Sequence, residues 1–387
     1  MDRRKFIKIT GLGMGTVALA TTVGGVVLSG DNGSFGWEGP NDELKDIRLK
    51  VLSYAILSPN PHNKQPWLIR LKNESTLDLF VDPERLLPET DPFHRQIHIG
   101  QGTFLESMII AASGLGHKAQ ITYFPEGEYN SVDIENKPVA RIQLVEDKTA
   151  IKDPLFEQLL IRQSNKRPYS GVGLDDSAKQ TLSKAFSSNS AYQFSVVDQE
   201  SHVKELQHIL TEAMKVEVGD KARDMETIKM FRFNDDEVQR YRDGFGVEQS
   251  GTTGIKKLIA ENFFLSRESV EKDPTDFGQQ AVTMTKAAVD SAQTFAWFTT
   301  PSNSRLDQVL IGHTYGRLNL LTSAMGIAQQ PLSQVLQEYQ DMIPLQQHFK
   351  QVFGIQEHET VQMLVRLGYA EPTKHSPRRS INALVID

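Results

Sequence analysis

Three stretches of this chain bring together side chains able to hold a charged, planar ligand. The first reads Ser58-Pro59-Asn60-Pro61-His62-Asn63-Lys64-Gln65-Pro66-Trp67. Prolines stiffen it, and between them it presents a hydroxyl (Ser58), an imidazole (His62) and two carboxamides (Asn63, Gln65). Each carboxamide both donates and accepts, as the edge of a hydrogen-bonding heterocycle requires. Ser, Asn and Pro are also ordinary turn formers, so the loop alone reads as a capping turn as well. The second stretch is Arg162-Gln163-Ser164-Asn165-Lys166-Arg167. Alternate residues of an extended segment share a side. Arg162, Ser164 and Lys166 would then offer two cations and a hydroxyl together, a good phosphate clamp; a solvated basic turn is the plainer alternative. The third, Ser376-Pro377-Arg378-Arg379-Ser380, reads by itself as a basic tail.

Other chemistries lack their residues. The chain has 387 residues and no cysteine, which excludes disulfides, thiolate catalysis, Cys-ligated zinc and iron–sulfur clusters. A formal charge of −7 argues against a nucleic-acid binder. There is no G-x-G-x-x-G, no G-x-S-x-G elbow, and residues 251–257 (GTTGIKK) have the wrong spacing for a P-loop. His94 and His98 stand four apart without an evident third ligand, so no metal site is expected. Phe231, Phe233, Phe263 and Phe264 read as packing. No residue stands out as a catalytic acid, base or nucleophile.

The elements that must position these residues follow from periodicity and breakers. A helix is predicted over Glu43–Leu57, broken by Ser58-Pro59-Asn60-Pro61. Short strands follow at Trp67–Leu71 and Leu77–Val81, a helix at Gly100–Leu115, and strands at Gln120–Phe124 and Val139–Val145. A second unit starts near Asp153, with helices over Pro154–Ile161 and Asp175–Phe186 and a strand at Tyr192–Val197. Residues 219–291 are polar and Gly-punctuated and read as a helical insertion or lid. Then come a strand at Thr294–Thr299, a helix at Leu306–Met325, shorter helices within Ser333–Phe353 and a strand at Val361–Leu367. Ile99-Gly100 opens a helix that ends at Gly114-Leu115, and Ile311-Gly312 opens one that ends at Gly326-Ile327, with the same Gly-to-Gly spacing. Two copies of one α+β unit, 45–150 and 151–387, would make an intramolecular pseudo-dimer.

Together the three stretches resemble the nitroreductase superfamily. Its members have a Ser-x-x-x-Asn-x-Gln-Pro-Trp loop, an Arg-x-Ser-x-Lys phosphate motif and a late basic pair. Asp82-Pro83-Glu84-Arg85, Asp91 to Arg95, Met325 to Pro331 (which includes Gln330) and Leu364 to Tyr369 narrow the resemblance to the Acg-like, twin-arginine branch. It implies a nitroreductase-like α+β fold of two fused halves, with mixed sheets flanked by helices. It also implies FMN held by Ser58, His62, Asn63, Gln65, Arg162, Ser164, Lys166, Gln330, Arg378 and Arg379. In ordinary nitroreductases one short subunit carries both motifs, phosphate motif first. Here the amide loop lies in the first half and the phosphate motif in the second. One FMN per chain, bridging the halves, with a dead second site is therefore implied, as is a monomer acting on a small acceptor such as a nitroaromatic or a quinone. If the lid covers the flavin, FMN binding or sequestration without turnover is the alternative.

The chain opens Met1-Asp2-Arg3-Arg4-Lys5-Phe6-Ile7-Lys8, followed by an apolar run from about Gly11 to Leu28. Paired arginines before a Gly- and Ala-rich apolar segment match a signal read by the twin-arginine translocase. The expectation is an exported protein of the periplasm or cell envelope. The segment 1–30 is either cut near Ser29-Gly30 or kept as an anchor, and residues 31–44 serve as a linker.

Overall fold

In the computed structural model, residues 35–40, 43–130, 133–250 and 266–387 are described. The signal segment, part of the linker, the GTTGIKK stretch, Phe263 and Phe264 lie outside them. Asp46 accepts a hydrogen bond from the Arg48 amide and so starts helix α1 (Ile47–Ala55). Strands β1 (Trp67–Asn73) and β2 (Thr76–Val81) form a hairpin, and the Asn73 side chain accepts from the amides of Ser75 and Thr76 to fix its turn. Helix α2 (Arg95–Gly114), β3 (His117–Tyr123) and β4 (Ala140–Glu146) complete the first unit.

The second unit repeats the plan. After α3 (Asp176–Ala185), capped by Asp175, come β5 (Gln193–Val197), β6 (Thr294–Thr300), the long helix α9 (Arg305–Ala324), β7 (Ala328–Pro331) and β8 (Thr360–Gly368). The first sheet has the order β3-β4-β2-β1 and the second β7-β8-β6-β5, so corresponding strands occupy corresponding places. In both, the long helix connects the second strand to the third. The predicted stretch 154–161 forms only a 3-10 turn, Phe156–Leu160.

Helices α2 and α9 join the units. A Cβ on Gly102 would lie 2.0 Å from the Val309 carbonyl oxygen, and one on Gly312 would lie 2.2 Å from that of Ile99. Both glycines stand at the same step of their helices, and only their bare backbones allow this approach. Gly102, and not Gly100 as the repeat suggested, is therefore the partner of Gly312; Gly100 faces Pro61 of the loop instead. Each helix begins with a fully buried arginine that reaches across. Arg95 donates to the carbonyls of Gln362 (2.8 Å) and Leu336 (2.7 Å), and Arg305 to those of Phe93 (2.6 Å) and Asn130 (3.1 Å).

The units differ in two connections: the β3–β4 link is a loop where the β7–β8 link carries a helix over Ile343–Val352, and the larger difference falls between the first two strands. The tight β1–β2 turn becomes, between β5 and β6, a helical excursion over 198–293. It carries α4 (Glu200–Gly219), α5 (Lys221–Met230), α6 (Asp235–Tyr241), α7 (Arg267–Lys272) and α8 (Thr275–Asp290). The stripe Val203, Leu206, Leu210 and Ala213 of α4 packs in the second core with Val289 of α8. The excursion thus starts before the predicted 219, and its ends are core; residues near 221–250 reach the first unit. The last strand, β9 (Val385–Ile386), pairs parallel with β1 through Ile69 and Val385, so the C-terminus of the expected second unit finishes in the first sheet. Leu384, fully buried in the first core, anchors that crossing. Among the described residues no helix is long and apolar enough to cross a membrane.

Candidate functional site

The loop after α1 is strained and fastened on three sides. His62, Asn63 and Gln65 have φ of 49°, 52° and 52°, the left-handed region. Such backbone costs of order 1 kcal/mol or more per non-glycine residue and persists only where its surroundings hold it. The Asn60 side chain accepts from the Gln65 amide at 2.7 Å. The Asn63 amide donates to the carbonyls of Gly244 and Pro377, both at 3.0 Å, and accepts from Arg378 at 2.7 Å. Gln65 donates to the Arg242 carbonyl and accepts from the Arg379 amide, both at 2.8 Å. The Ser58 hydroxyl lies within hydrogen-bond distance of the Ala55 carbonyl (2.7 Å), the Ser107 hydroxyl (2.8 Å) and the Thr103 carbonyl (3.1 Å), which ties the loop to α2.

Beside this loop stand three cations with no acid among the described residues to pair them. Arg162 and Arg378, both buried, donate to one acceptor, the Leu57 carbonyl, at 2.7 and 3.2 Å. Arg162 also donates to the Asn319 side chain of α9 and, at 3.4 Å, to the Ser164 hydroxyl. The Lys166 ammonium sits 3.9 Å from the centre of the Phe245 ring, which the His62 ring also approaches, at 5.7 Å. Trp37 lies within cation–π reach of both guanidiniums, at 5.0 Å from Arg378 and 5.8 Å from Arg162. Among the described residues no carboxylate lies within ion-pair distance of Arg162, Lys166 or Arg378. Two cations at the margin of the cluster are paired: Arg379 with Asp82 (3.5 Å) and Arg85 with Asp243 (2.8 Å).

Electrostatics follow from that imbalance. Burial pushes Arg162 down to about 10 and Lys166 down to about 8. Arg378 is held well below its ordinary value by burial and then by the Arg162 charge. Burial, with the charges of Lys166 and Lys64 behind it, lowers His62 to about 3, so its ring is neutral at physiological pH. The buried Nε of Arg378 and Nδ1 of His62 have no hydrogen-bond partner. A buried charge without a partner is costly. This donor set, two guanidiniums, an ammonium and a hydroxyl, fits a phosphate dianion.

Of the residues singled out from sequence, His62, Asn63, Gln65, Arg162, Ser164, Lys166 and Arg378 come together here. Ser58 turns into α2, and Arg379 is at the margin on Asp82. Gln330 stands apart on β7, where its side-chain oxygen accepts from Arg366 at 2.7 Å. Arg366 in turn donates to the carbonyls of Arg167 (2.7 Å) and Asn165 (3.4 Å), so the pair braces the 162–167 segment. The motifs do not include Trp37, Asn319 or Phe245. Only Trp37 left a sign, a large apolar ring inside a Gly-rich linker. His94 and His98 are packed in the first unit, the His98 ring between the His94 carbonyl (2.7 Å) and the Tyr129 hydroxyl (2.8 Å).

Fold and site together define an α+β protein of two like-ordered sheets with a cation cluster that no acid among the described residues pairs. By sequence the chain is similar to the Acg-like proteins of the nitroreductase superfamily. It is 37% identical over 76 residues to a provisionally named NAD(P)H nitroreductase of Mycobacterium tuberculosis H37Rv, and 31% identical over 80 residues to the provisional NAD(P)H nitroreductase Acg of that organism. These stretches cover 20% and 21% of this chain and only 22% and 24% of the relatives. No protein-family model matches the chain. Among solved structures, the FMN-dependent nitroreductase NfnB of Mycobacterium smegmatis in complex with NADPH aligns over 59% of this chain and 94% of its own, at 16% identity and a TM-score of 0.37. A provisional nitroreductase from Anabaena variabilis aligns over 76% and 69%, at 12% identity and a TM-score of 0.41.

Proposed function

We propose that this chain is an exported, FMN-binding oxidoreductase of the nitroreductase type. One FMN lies between the two units, which take the places of two subunits within one chain. The observation that carries this reading is the convergence of Arg162, Lys166 and Arg378, uncompensated by any acid among the described residues, beside the amide-bearing loop. Arg162, Ser164, Lys166 and Arg378 hold the phosphate; His62, Asn63 and Gln65 border the ring. Bound FMN supplies hydride transfer at N5. The residues of the chain do the rest: they bind the phosphate, orient the ring and keep His62 neutral, so that its free Nδ1 serves as a hydrogen-bonding group and not as an acid. The nitroreductase names of the sequence relatives support this reading. Arg3-Arg4 and the apolar run behind them support export by the twin-arginine route.

A binder without turnover is the second reading. It is favoured by the backbone of the excursion, which already occupies the loop's carboxamides: Gly244 on Asn63 and Arg242 on Gln65. Anaerobic titration of the purified yellow protein separates the two. NADPH or dithionite should bleach the flavin, and a nitroaromatic or quinone should restore it. Flavin that dithionite reduces but no nicotinamide donor or acceptor exchanges with points to the binder, and a colourless chain unable to take up FMN overturns both.

A further inference from the structure

We propose that residues 35–40 are a strap that locks the anion site, with Trp37 as its bolt. The proposal rests on the cation cluster being an anion site and adds a residue that none of the motifs contains. Trp37 is buried although it belongs to a linker. Its ring is near both unpaired guanidiniums and is stacked on His375 at 3.8 Å, nearly parallel at 15°. Its Nε1 donates to the Ser376 carbonyl at 2.8 Å, and the Phe35 carbonyl accepts from the Arg378 amide at 2.9 Å. Gly36 between them has φ +86°, and a Cβ there would meet the Arg378 Cβ at 2.7 Å. The strap thus lies directly on the backbone that delivers Arg378. The Arg242 guanidinium covers the Phe35 ring at 4.4 Å, so the same excursion that meets the amide loop also holds the strap.

An aromatic face against two guanidiniums excludes water and strengthens every charge-assisted bond the cluster makes. A phosphate held by these guanidiniums would have the indole beside it, so a ligand that continues past the phosphate on that side, such as a dinucleotide, would have to lift Trp37. The strap therefore acts on the rate at which a phosphate-bearing ligand leaves and on whether that phosphate must be terminal.

The test uses the full chain and flavin release, not turnover. FMN dissociation is followed by the recovery of free-flavin fluorescence after dilution, in the wild type, Trp37→Ala, Trp37→Phe and Gly36→Ala, with FAD and riboflavin as comparison ligands. Trp37→Ala should release FMN about tenfold faster, from the loss of a desolvated cation–π contact, and should bind FAD better relative to FMN. Gly36→Ala, which lifts the strap and leaves the indole intact, should also release faster. Trp37→Phe should stay within about threefold of the wild type, and riboflavin should be indifferent to all three. Equal FMN release from wild type and both strap variants overturns the lock. If the wild type binds no FMN, the flavin reading fails, and the lock is judged by inorganic phosphate: it survives only if phosphate changes the tryptophan emission of the wild type and leaves that of Trp37→Phe unchanged.

Discussion

Lys166 rests on the Phe245 ring with no acid among the described residues opposite, and burial brings its pKa to about 8. It is charged below that pH and neutral above it. The FMN phosphate loses its second proton near pH 6. Affinity should then rise between pH 5 and 7 as the dianion forms, and fall above about 8 as Lys166 loses its charge. Arg162, at about 10, and Arg378 face the same ligand; Arg162 keeps its proton through pH 9, and His62, at about 3, contributes no charge anywhere in this range. Because the bound dianion holds the amine charged, the falling limb should begin near the value for the free protein and level off only above the higher value of the complex. Fluorescence titration with FMN from pH 6 to 9.5 measures it. Lys166→Met should lose about tenfold in affinity at pH 7, one charge-assisted bond, and should flatten the alkaline limb; an unchanged limb removes Lys166 from the phosphate. At this scale the sequence was legible in type and not in partner. Asn63 and Gln65 show as amides in a stiff loop, but that their present partners come from residues 242–244 and 377–379 is a long-range fact with no local signature. Gln330 shares its stretch with motif residues, yet a strand alternates its faces, and this side chain points to Arg366.

Two helices carry the junction between the units, and two glycines carry the helices' approach. Gly102→Ala would drive a methyl to 2.0 Å from the Val309 oxygen, and Gly312→Ala one to 2.2 Å from that of Ile99. Neither contact is with a flexible side chain, so the helices must separate along the interface. Each substitution should destabilise the protein by about 3 kcal/mol or more, at the upper end for overpacking. Gly219→Ala, at the end of α4 with nothing within 4 Å of the added carbon, is the control and should change stability by no more than about 0.5 kcal/mol. Urea unfolding reads both, and a Gly102→Ala protein as stable as the control would mean the helices do not meet as closely as described. The repeat of Ile-Gly pairs made the helix pair visible in sequence. It set the register off by two because α2 has glycines at 100 and 102, and helical periodicity cannot tell which faces the partner helix and which the loop. The excursion's polar surface was legible too, but its ends pack as core, since an amphipathic stripe counts as surface or core only once it has a neighbour.

The proposed phosphate site is assembled from the whole molecule. Its groups come from Trp37, Leu57, Arg162, Lys166, Asn319 and Arg378, and the strand that follows Arg378 is pinned beside β1 in the opposite unit. No partly synthesised or unfolded chain contains it. A polypeptide threaded through a membrane as an extended chain would cross without its phosphate donors in place and would have to find FMN outside the cell's main flavin pool. Export of the folded protein avoids this, and the Arg3-Arg4 pair is of the type that directs it. Replacing both with lysine keeps the charge and changes only the guanidinium pattern that the translocase reads. That variant should accumulate inside the cell with its flavin bound, while the wild type reaches the envelope fraction already yellow. Fractionation with flavin and protein measured in each compartment distinguishes the cases. Equal envelope levels for both chains would remove the twin-arginine assignment. Wild-type protein that arrives colourless and gains FMN only when it is supplied outside would leave export standing but break the link drawn here between folding, cofactor and route.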